Sequence, residues 1–247
     1  MYDALAEVYD WLVPEALLTP QGSAAALAVV TDALAPGARI LDCACGTGPV
    51  AVGLALAGFD VVATDASPAM VARTRRLAAE HGAQLQPAVR TWEEGGWDGA
   101  FDAVLCVGNS LVHAAGGAAR RGALRAMAGV LGPGGLLAVT SRNWERVRAR
   151  GSAFDVGERL VMRGGRAGLT IHTWTIAGDW DERHELHVAV ALVADDGTVT
   201  TYAELLELWP FRHETLEADL RAAGVAPETS TYAPDADRYL VTARRFG

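Results

Sequence analysis

Apolar positions recur along this chain with two periods, one near 3.6 residues and one of 2, and the switches between them mark out its elements. Residues 3–13 (DALAEVYDWLV) carry apolar side chains at helical spacing and stop at Pro14, and the Ala-rich stretch 22–35 predicts a second helix ending at Pro36-Gly37. Arg39 to Cys43 then reads as a short buried strand, glycines at 46 and 48 punctuate it, and 49–57 is an apolar helix closed by Gly58. Asp60 to Thr64 predicts a second strand, Pro68 opens a helix at the position proline prefers, and 84–89 predicts a third strand. Phe101 to Val107 is a fourth strand, 117–131 a helix, Gly132-Pro133-Gly134-Gly135 a tight turn, and Leu136 to Ser141 a fifth strand.

This β-α-β alternation predicts an α/β fold, a doubly wound and mostly parallel sheet with helices on both faces. After Trp144 the period changes. Two strand pairs follow, turning at Gly164-Gly165 and at Asp195-Asp196-Gly197, and predict an antiparallel β insertion after the fifth strand. A helix over 213–223 and a strand over 239–244 return the chain to the main sheet. The expected organisation is one domain over 1–247, divided into N-terminal helices or lid (1–37), a first half (38–143), the β insertion (144–212), and a C-terminal helix and strands (213–247).

With 51% hydrophobic and 21% charged residues, the 247-residue chain has enough apolar material for a large core. The net charge of −9 repels polyanions, so a small-molecule partner is expected and a nucleic acid is not. Cys43, Cys45 and Cys106 are an odd number, two of them only two residues apart, which suits reduced thiols and a cytoplasmic location. No stretch is apolar for long enough to span a bilayer, so no membrane partner is expected. Cys43 and Cys45 with His172, His184 and His187 lack zinc-site spacing, and 184 and 187 would point to opposite faces of one strand, so no metal site is expected.

The motif with most chemical content is Leu41-Asp42-Cys43-Ala44-Cys45-Gly46-Thr47-Gly48, a strand running through a glycine turn into a helix. Glycine at 46 and 48 lets backbone amides approach a ligand beside the positive end of the helix. Asp65, at the end of the second strand, can accept both hydroxyls of a ribose and disfavours a phosphate. A nucleotide-like ligand is implied.

Together DCACGTG, ATDAS, Thr91-Trp92, Cys106-Val107-Gly108-Asn109-Ser110 and Ser141-Arg142-Asn143-Trp144 resemble glycine N-methyltransferase and the glycine/sarcosine N-methyltransferases, from about residue 39 almost to the C-terminus. The resemblance implies a class I, Rossmann-like methyltransferase with a seven-stranded sheet and S-adenosylmethionine as cofactor. By it, Ala44 and Gly46 line the methionine part of the cofactor, Asp65 holds the ribose, Ala66 lies beside the adenine, Thr91 and Trp92 flank that ring, and Val107 faces the sulfonium. His113 helps hold the methionyl end, and Asp42, Gly48 and Met70 join the same set.

On the substrate side the resemblance gives Arg142 the task of holding a carboxylate, a pairing that suits the planar guanidinium. Asn109 contacts substrate as well, and Tyr9, Trp174 and Trp209 complete the substrate-binding set. Trp174 and Trp209 stand where the resembled enzymes use tyrosines, so a larger or more apolar acid than glycine is expected. The chain also has no Arg or Lys before Arg39, where those enzymes carry an arginine that meets the cofactor carboxylate. The expected reaction is N-methylation of a small amino acid or related acid, with catalytic roles for Asn109, Arg142 and His113. O-methylation of a small acid or natural-product intermediate, and S-adenosylmethionine binding without turnover, stay open. So does a homo-oligomer.

Overall fold

The computed structural model describes residues 2–157 and 160–246. The N-terminal segment departs from the expected helices. Ala6–Leu12 is a 3-10 helix, and helices α1 (Pro20–Ala25) and α2 (Ala28–Thr31) replace one continuous helix over 22–35. The first change follows from spacing: Leu5, Val8 and Trp11 lie three apart and are all buried, and a 3-10 helix eclipses side chains at i and i+3. Before α1, Thr19 Oγ1 accepts from the amide of Gly22 and Pro20 takes the first helical position.

The main sheet begins with β1 (Arg39–Asp42), α3 (Pro49–Leu56), β2 (Asp60–Asp65), α4 (Pro68–His81), β3 (Ala88–Val89) and β4 (Phe101–Cys106). It continues through α5 (Gly116–Gly129), β5 (Leu131–Arg142) and α6 (Trp144–Arg150). Strand β3 is shorter than the expected 84–89, since Pro87 has no amide to donate and its carbonyl is taken by Arg75. Gly132-Pro133-Gly134-Gly135 is not a turn before the strand but a bulge within β5, because pairing with β4 passes from Phe101–Leu131 directly to Ala103–Leu136. Helix α6 was not anticipated: Trp144 and Val147 are its only large apolar residues, and Asn143 Oδ1 caps it by accepting from Arg146 N.

The insertion comprises β6 (Ala153–Val156), β7 (Val161–Arg163), β8 (Arg166–Thr175), β9 (His184–Val193) and β10 (Val199–Leu208), all antiparallel, in the order β10-β9-β8-β6 with β7 also paired to β8. Helix α7 (His213–Ala222), β11 (Val225–Ser230) and β12 (Arg238–Arg245) complete the main sheet, whose order is β11-β12-β5-β4-β1-β2-β3. Within it only β12 runs against the others. Period-two alternation sends Ile40, Leu105 and Ala138 into one core and Leu41, Val104 and Leu137 into the other, so both faces are covered. The second of these cores continues into the insertion through Trp174, Leu186, Val188 and Val190.

Candidate functional site

The turn after β1 is held from three directions. Cys45 N donates to Thr64 O (2.9 Å), Thr74 Oγ1 donates to Gly46 O (2.8 Å), and Gly46 N donates to Asp65 Oδ2 (2.9 Å). Gly46 and Gly48 have φ of 57° and 96°. A Cβ on Gly48 would stand 2.7 Å from Thr74 Cγ2, whereas one on Gly46 would meet nothing within 4 Å, so Gly46 borders open space. Asp65 also accepts from Ser67 N (2.9 Å), and burial holds its carboxyl above the usual range against the pull of those two amides. Ala66 is exposed beside it, and Met70 is buried with its amide donated to the Ser67 cap.

Asp42 is fully buried at the end of β1. Its Oδ1 accepts from Ala44 N at 3.4 Å, while Oδ2 has no partner among the described residues, and desolvation pushes its pKa up to about 7. Trp92 Nε1 donates to Cys43 O (2.9 Å), which fixes the indole over the loop, and Thr91 precedes it in a turn closed by Glu94. The group of Asp42, Ala44, Gly46, Gly48, Asp65, Ala66, Met70, Thr91 and Trp92 is thus assembled around the carboxyl ends of β1 and β2, the edge where open α/β sheets take ligands.

After β4, Val107 is buried and Gly108 N donates to Thr140 Oγ1 (2.8 Å). Asn109 adopts φ 68°, a left-handed conformation that Asn tolerates better than most, and its Oδ1 accepts from Arg142 N (2.8 Å). This bond ties the ends of β4 and β5. His113 lies between Glu207 O (3.3 Å from Nδ1) and the Tyr2 hydroxyl (3.1 Å from Nε2). A carbonyl can only accept, so Nδ1 carries the proton and Nε2 accepts from Tyr2. Burial lowers the His113 pKa to about 4 and raises that of the Tyr2 phenol, leaving both neutral near pH 7. Tyr2 also packs edge-on against Tyr9.

Arg142 opens onto a cavity of about 170 Å³ walled by Arg150, Asp155, His172 and Trp174. Its guanidinium stands 5.2 Å from the Trp174 ring centre and has no ion-pair partner among the described residues. Burial brings its pKa down to about 10, so it stays charged at neutral pH. Asp155 is engaged by Arg150. His172 stacks on Trp174 with ring centres 6.4 Å apart, and burial followed by the Arg142 charge lowers its pKa. Trp209 lies elsewhere, in a second hollow with Arg120, Trp180 and Phe211. Sequence reasoning missed Asp155 and considered His172 only as a metal ligand. The available signal was parity, since His172 and Trp174 are two apart on one strand and share a face. His184 is buried against Arg148 and His187 is exposed, on opposite faces of β9.

Residues 40–135 match the family model for a methyltransferase domain. Over the whole chain the fold resembles an S-adenosylmethionine-dependent methyltransferase from Clostridium acetobutylicum, with TM-score 0.80, 15% identity, and 100% and 99% of the two chains covered. The fold is therefore that of the class I, S-adenosylmethionine-dependent methyltransferases, and residues 40–135 carry the methyltransferase-domain pattern. Within that class it is 40% identical over 131 residues to the glycine/sarcosine N-methyltransferase of Parasynechococcus marenigrum, covering 52% of this chain and 46% of the relative. The Rattus norvegicus glycine N-methyltransferase is 36% identical over 131 residues, at 47% and 44% coverage. The chain spans about half the length of these curated relatives. The sugar N-methyltransferase KedS8 from Streptoalloteichus is 27% identical with TM-score 0.74, over 91% of this chain and 87% of that one. Among the described residues no helix is long and apolar enough to cross a membrane.

Proposed function

We propose that the protein transfers a methyl group from S-adenosylmethionine to the amine of a small, acid-bearing molecule. The observation that carries this reading is Arg142, a half-buried guanidinium without an ion-pair partner among the described residues, facing a cavity at the end of β5. Partly desolvating a cation without a counter-ion has a cost that a ligand anion would offset. A carboxylate does so with two parallel hydrogen bonds.

The loop after β1 fits the cofactor. Gly46 borders open space, Asp42 Oδ2 lacks a partner among the described residues, and each Asp65 oxygen keeps a lone pair after accepting one amide. In this reading Asp65 holds the ribose hydroxyls, Thr91 and Trp92 border the adenine with Ala66, and Asp42, Ala44, Gly46, Gly48, Met70 and Val107 shape the remainder. When bound, S-adenosylmethionine supplies an electrophilic methyl group. The chain's own contribution is positioning: Arg142 anchors the acid, Asn109 fixes Arg142 through its backbone, and Trp174 and Tyr9 limit where the amine can stand. His113 holds Tyr2 in place rather than moving a proton, since both its nitrogens are engaged.

A second reading takes an amino sugar as acceptor. The whole-length likeness to a sugar N-methyltransferase favours it, and Asp155 and His172 would then meet the hydroxyl groups. A release assay for S-adenosylhomocysteine with amino acids, amines and amino sugars separates the two. Turnover on an acid-bearing amine that falls at least about tenfold in Arg142→Ala, ~1.4 kcal/mol, supports the first reading. Turnover on neutral amino sugars alone supports the second and removes the carboxylate clamp.

A further inference from the structure

Arg142 does not stand alone at the end of β5. Strand β12 runs antiparallel to β5, and its first residue, Arg238, is the direct cross-strand partner of Arg142. Asn143 N donates to Asp237 O (2.8 Å), while Arg142 N turns the other way, to Asn109 Oδ1. Those bonds make Arg142 and Arg238 a non-hydrogen-bonded pair, the kind in which Cα atoms come within about 4.5 Å and both side chains leave the same face of the sheet. Opposite charges suit such a position, and like charges directly across from one another destabilise it. Here two guanidinium groups share it.

The nearby acids are engaged elsewhere. Asp155 is held by Arg150, Asp237 lies 3.5 Å from Arg146, and Glu204 accepts from the amides of Tyr2 and Ala4. Arg238 is exposed and has no hydrogen bond or ion pair from its side chain among the described residues, unlike Arg244 on the same strand, which Glu228 holds at 2.6 Å. Burial and then the Arg238 charge bring the Arg142 pKa down to about 10. The Tyr9 phenol is raised by burial, with the Arg238 charge opposing and the Asp65 charge adding to the shift. Arg238 therefore stands close to Arg142 and to Tyr9, on the side of the site where Asp65 lies. Two positive charges at the end of β5 are left without a counter-ion among the described residues.

We infer that Arg142 and Arg238 form one clamp for an acceptor amine whose acid portion is doubly ionised, as two carboxylates or as one phosphonate. This rests on the acid reading of the acceptor and narrows it: Arg142 takes one anionic charge, Arg238 the other, and Arg238 separates diacids from monoacids. Each guanidinium fork can take one carboxylate, or both can share the oxygens of a single phosphonate. A monocarboxylate would leave one cation uncompensated and the repulsion between the pair in place. Water solvates Arg238 while the clamp is empty.

Calorimetric titration of the S-adenosylhomocysteine complex tests the inference with acids and their less charged counterparts of like shape. Aspartate is compared with asparagine, glutamate with glutamine, and 2-aminoethylphosphonate with its monomethyl ester, at about pH 8.5, where a phosphonate is doubly ionised. In at least one pair the doubly ionised acid should bind at least about tenfold more tightly, and which pair does so tells two carboxylates from one phosphonate. Arg238→Gln should bring that ratio to about one while changing the affinity for the less charged counterpart less than about threefold, and Arg238→Lys should restore part of the preference. Because the ratio is taken within each variant, a loss of folded protein does not imitate the result. Equal binding of acid and counterpart by the wild type, no binding of any doubly ionised acid, or a preference that survives Arg238→Gln overturns the inference. The acid reading is judged separately by the release assay. Turnover on monoacids that depends on Arg142, with no preference for a diacid, overturns this inference alone, whereas turnover on neutral amino sugars alone overturns both.

Discussion

Asp65 and Arg142 are both charges partly withdrawn from water, yet they are compensated differently. Asp65 is satisfied from within by the amides of Gly46 and Ser67, so it is already shaped before any ligand arrives. Arg142 has no ion-pair partner among the described residues, and in the proposed reading a ligand acid completes it. Their substitutions should therefore separate. Asp65→Ala orphans two amides and removes the proposed ribose acceptor, and should weaken S-adenosylhomocysteine binding by titration calorimetry at least about tenfold, with some loss of thermal stability. Arg142→Ala should leave that binding nearly unchanged and instead raise KM for the acid-bearing acceptor. Arg142→Lys should recover only part of it, because a point charge lacks the planar fork. Loss of cofactor binding in Arg142→Ala would show that the residue shapes the first pocket and not the second. His172→Phe keeps the stack on Trp174 while removing the ring nitrogens. In the acid reading it should change kcat/KM by less than about threefold; a larger loss, more than roughly 0.7 kcal/mol, would favour a hydroxyl-rich acceptor.

At the scale of elements, the ends of β1, β4 and β5 meet through backbone groups, and single residues lock them. Gly48 is one lock: it has φ 96° and Thr74 fills the space where a Cβ would lie. Gly48→Ala combines backbone strain of roughly 1–2 kcal/mol with overpacking of roughly 1–3 kcal/mol. At about 2–4 °C per kcal/mol for a chain of this size, a thermal melt should show a drop well outside error. An unchanged Tm would mean that the loop relaxes without cost. Much of this was legible in the sequence. The glycine turn, Asp65, the strand alternation and both hairpin turns announce themselves through residues with few alternatives: glycines at positive φ, a proline at the first position of α4, β-branched runs. Misread elements are those where a local rule met a tertiary contact. Residues 3–13 look α-helical, but the stripe of Leu5, Val8 and Trp11 is drawn onto the insertion, where Trp11 occupies the place a side chain on Gly168 would need. Helix α6 was hidden because its exposed side is Arg-rich and its buried side is essentially one tryptophan. The Arg142 cavity was only half legible, since Asp155 and His172 face Arg142 through strand pairing between β6 and β8, which the order of residues along the chain does not display.

For the whole molecule, burial of two titratable groups gives stability a pH dependence whose sign can be worked out. Asp42 has a folded pKa near 7 against an ordinary 3.8, so the native state holds a proton the unfolded chain has lost between those values. Stability from this group is greatest below about pH 4 and is lost as pH rises through about 7. His113 acts in the other direction. Its folded pKa is near 4 against an ordinary 6.5, so the unfolded chain binds the extra proton, and its contribution is complete above about 6.5 and lost as pH falls toward 4. The two oppose one another from about 4 to 6.5, and above that only the Asp42 dependence remains. Asp42→Asn keeps an oxygen for the Ala44 amide and removes the titration. Thermal melts of the ligand-free protein between pH 5 and 8.5 should show the difference between Asp42→Asn and wild type moving steadily in favour of the variant as pH rises, and levelling once Asp42 is fully ionised. A pH-independent difference would mean that water or a cation reaches Oδ2 and that the carboxylate is not dry. The distinction bears on the site as a whole, because a ligand that donates to Asp42 must displace the proton, and S-adenosylhomocysteine affinity should then rise between pH 6 and 8 in the wild type and stay level in Asp42→Asn.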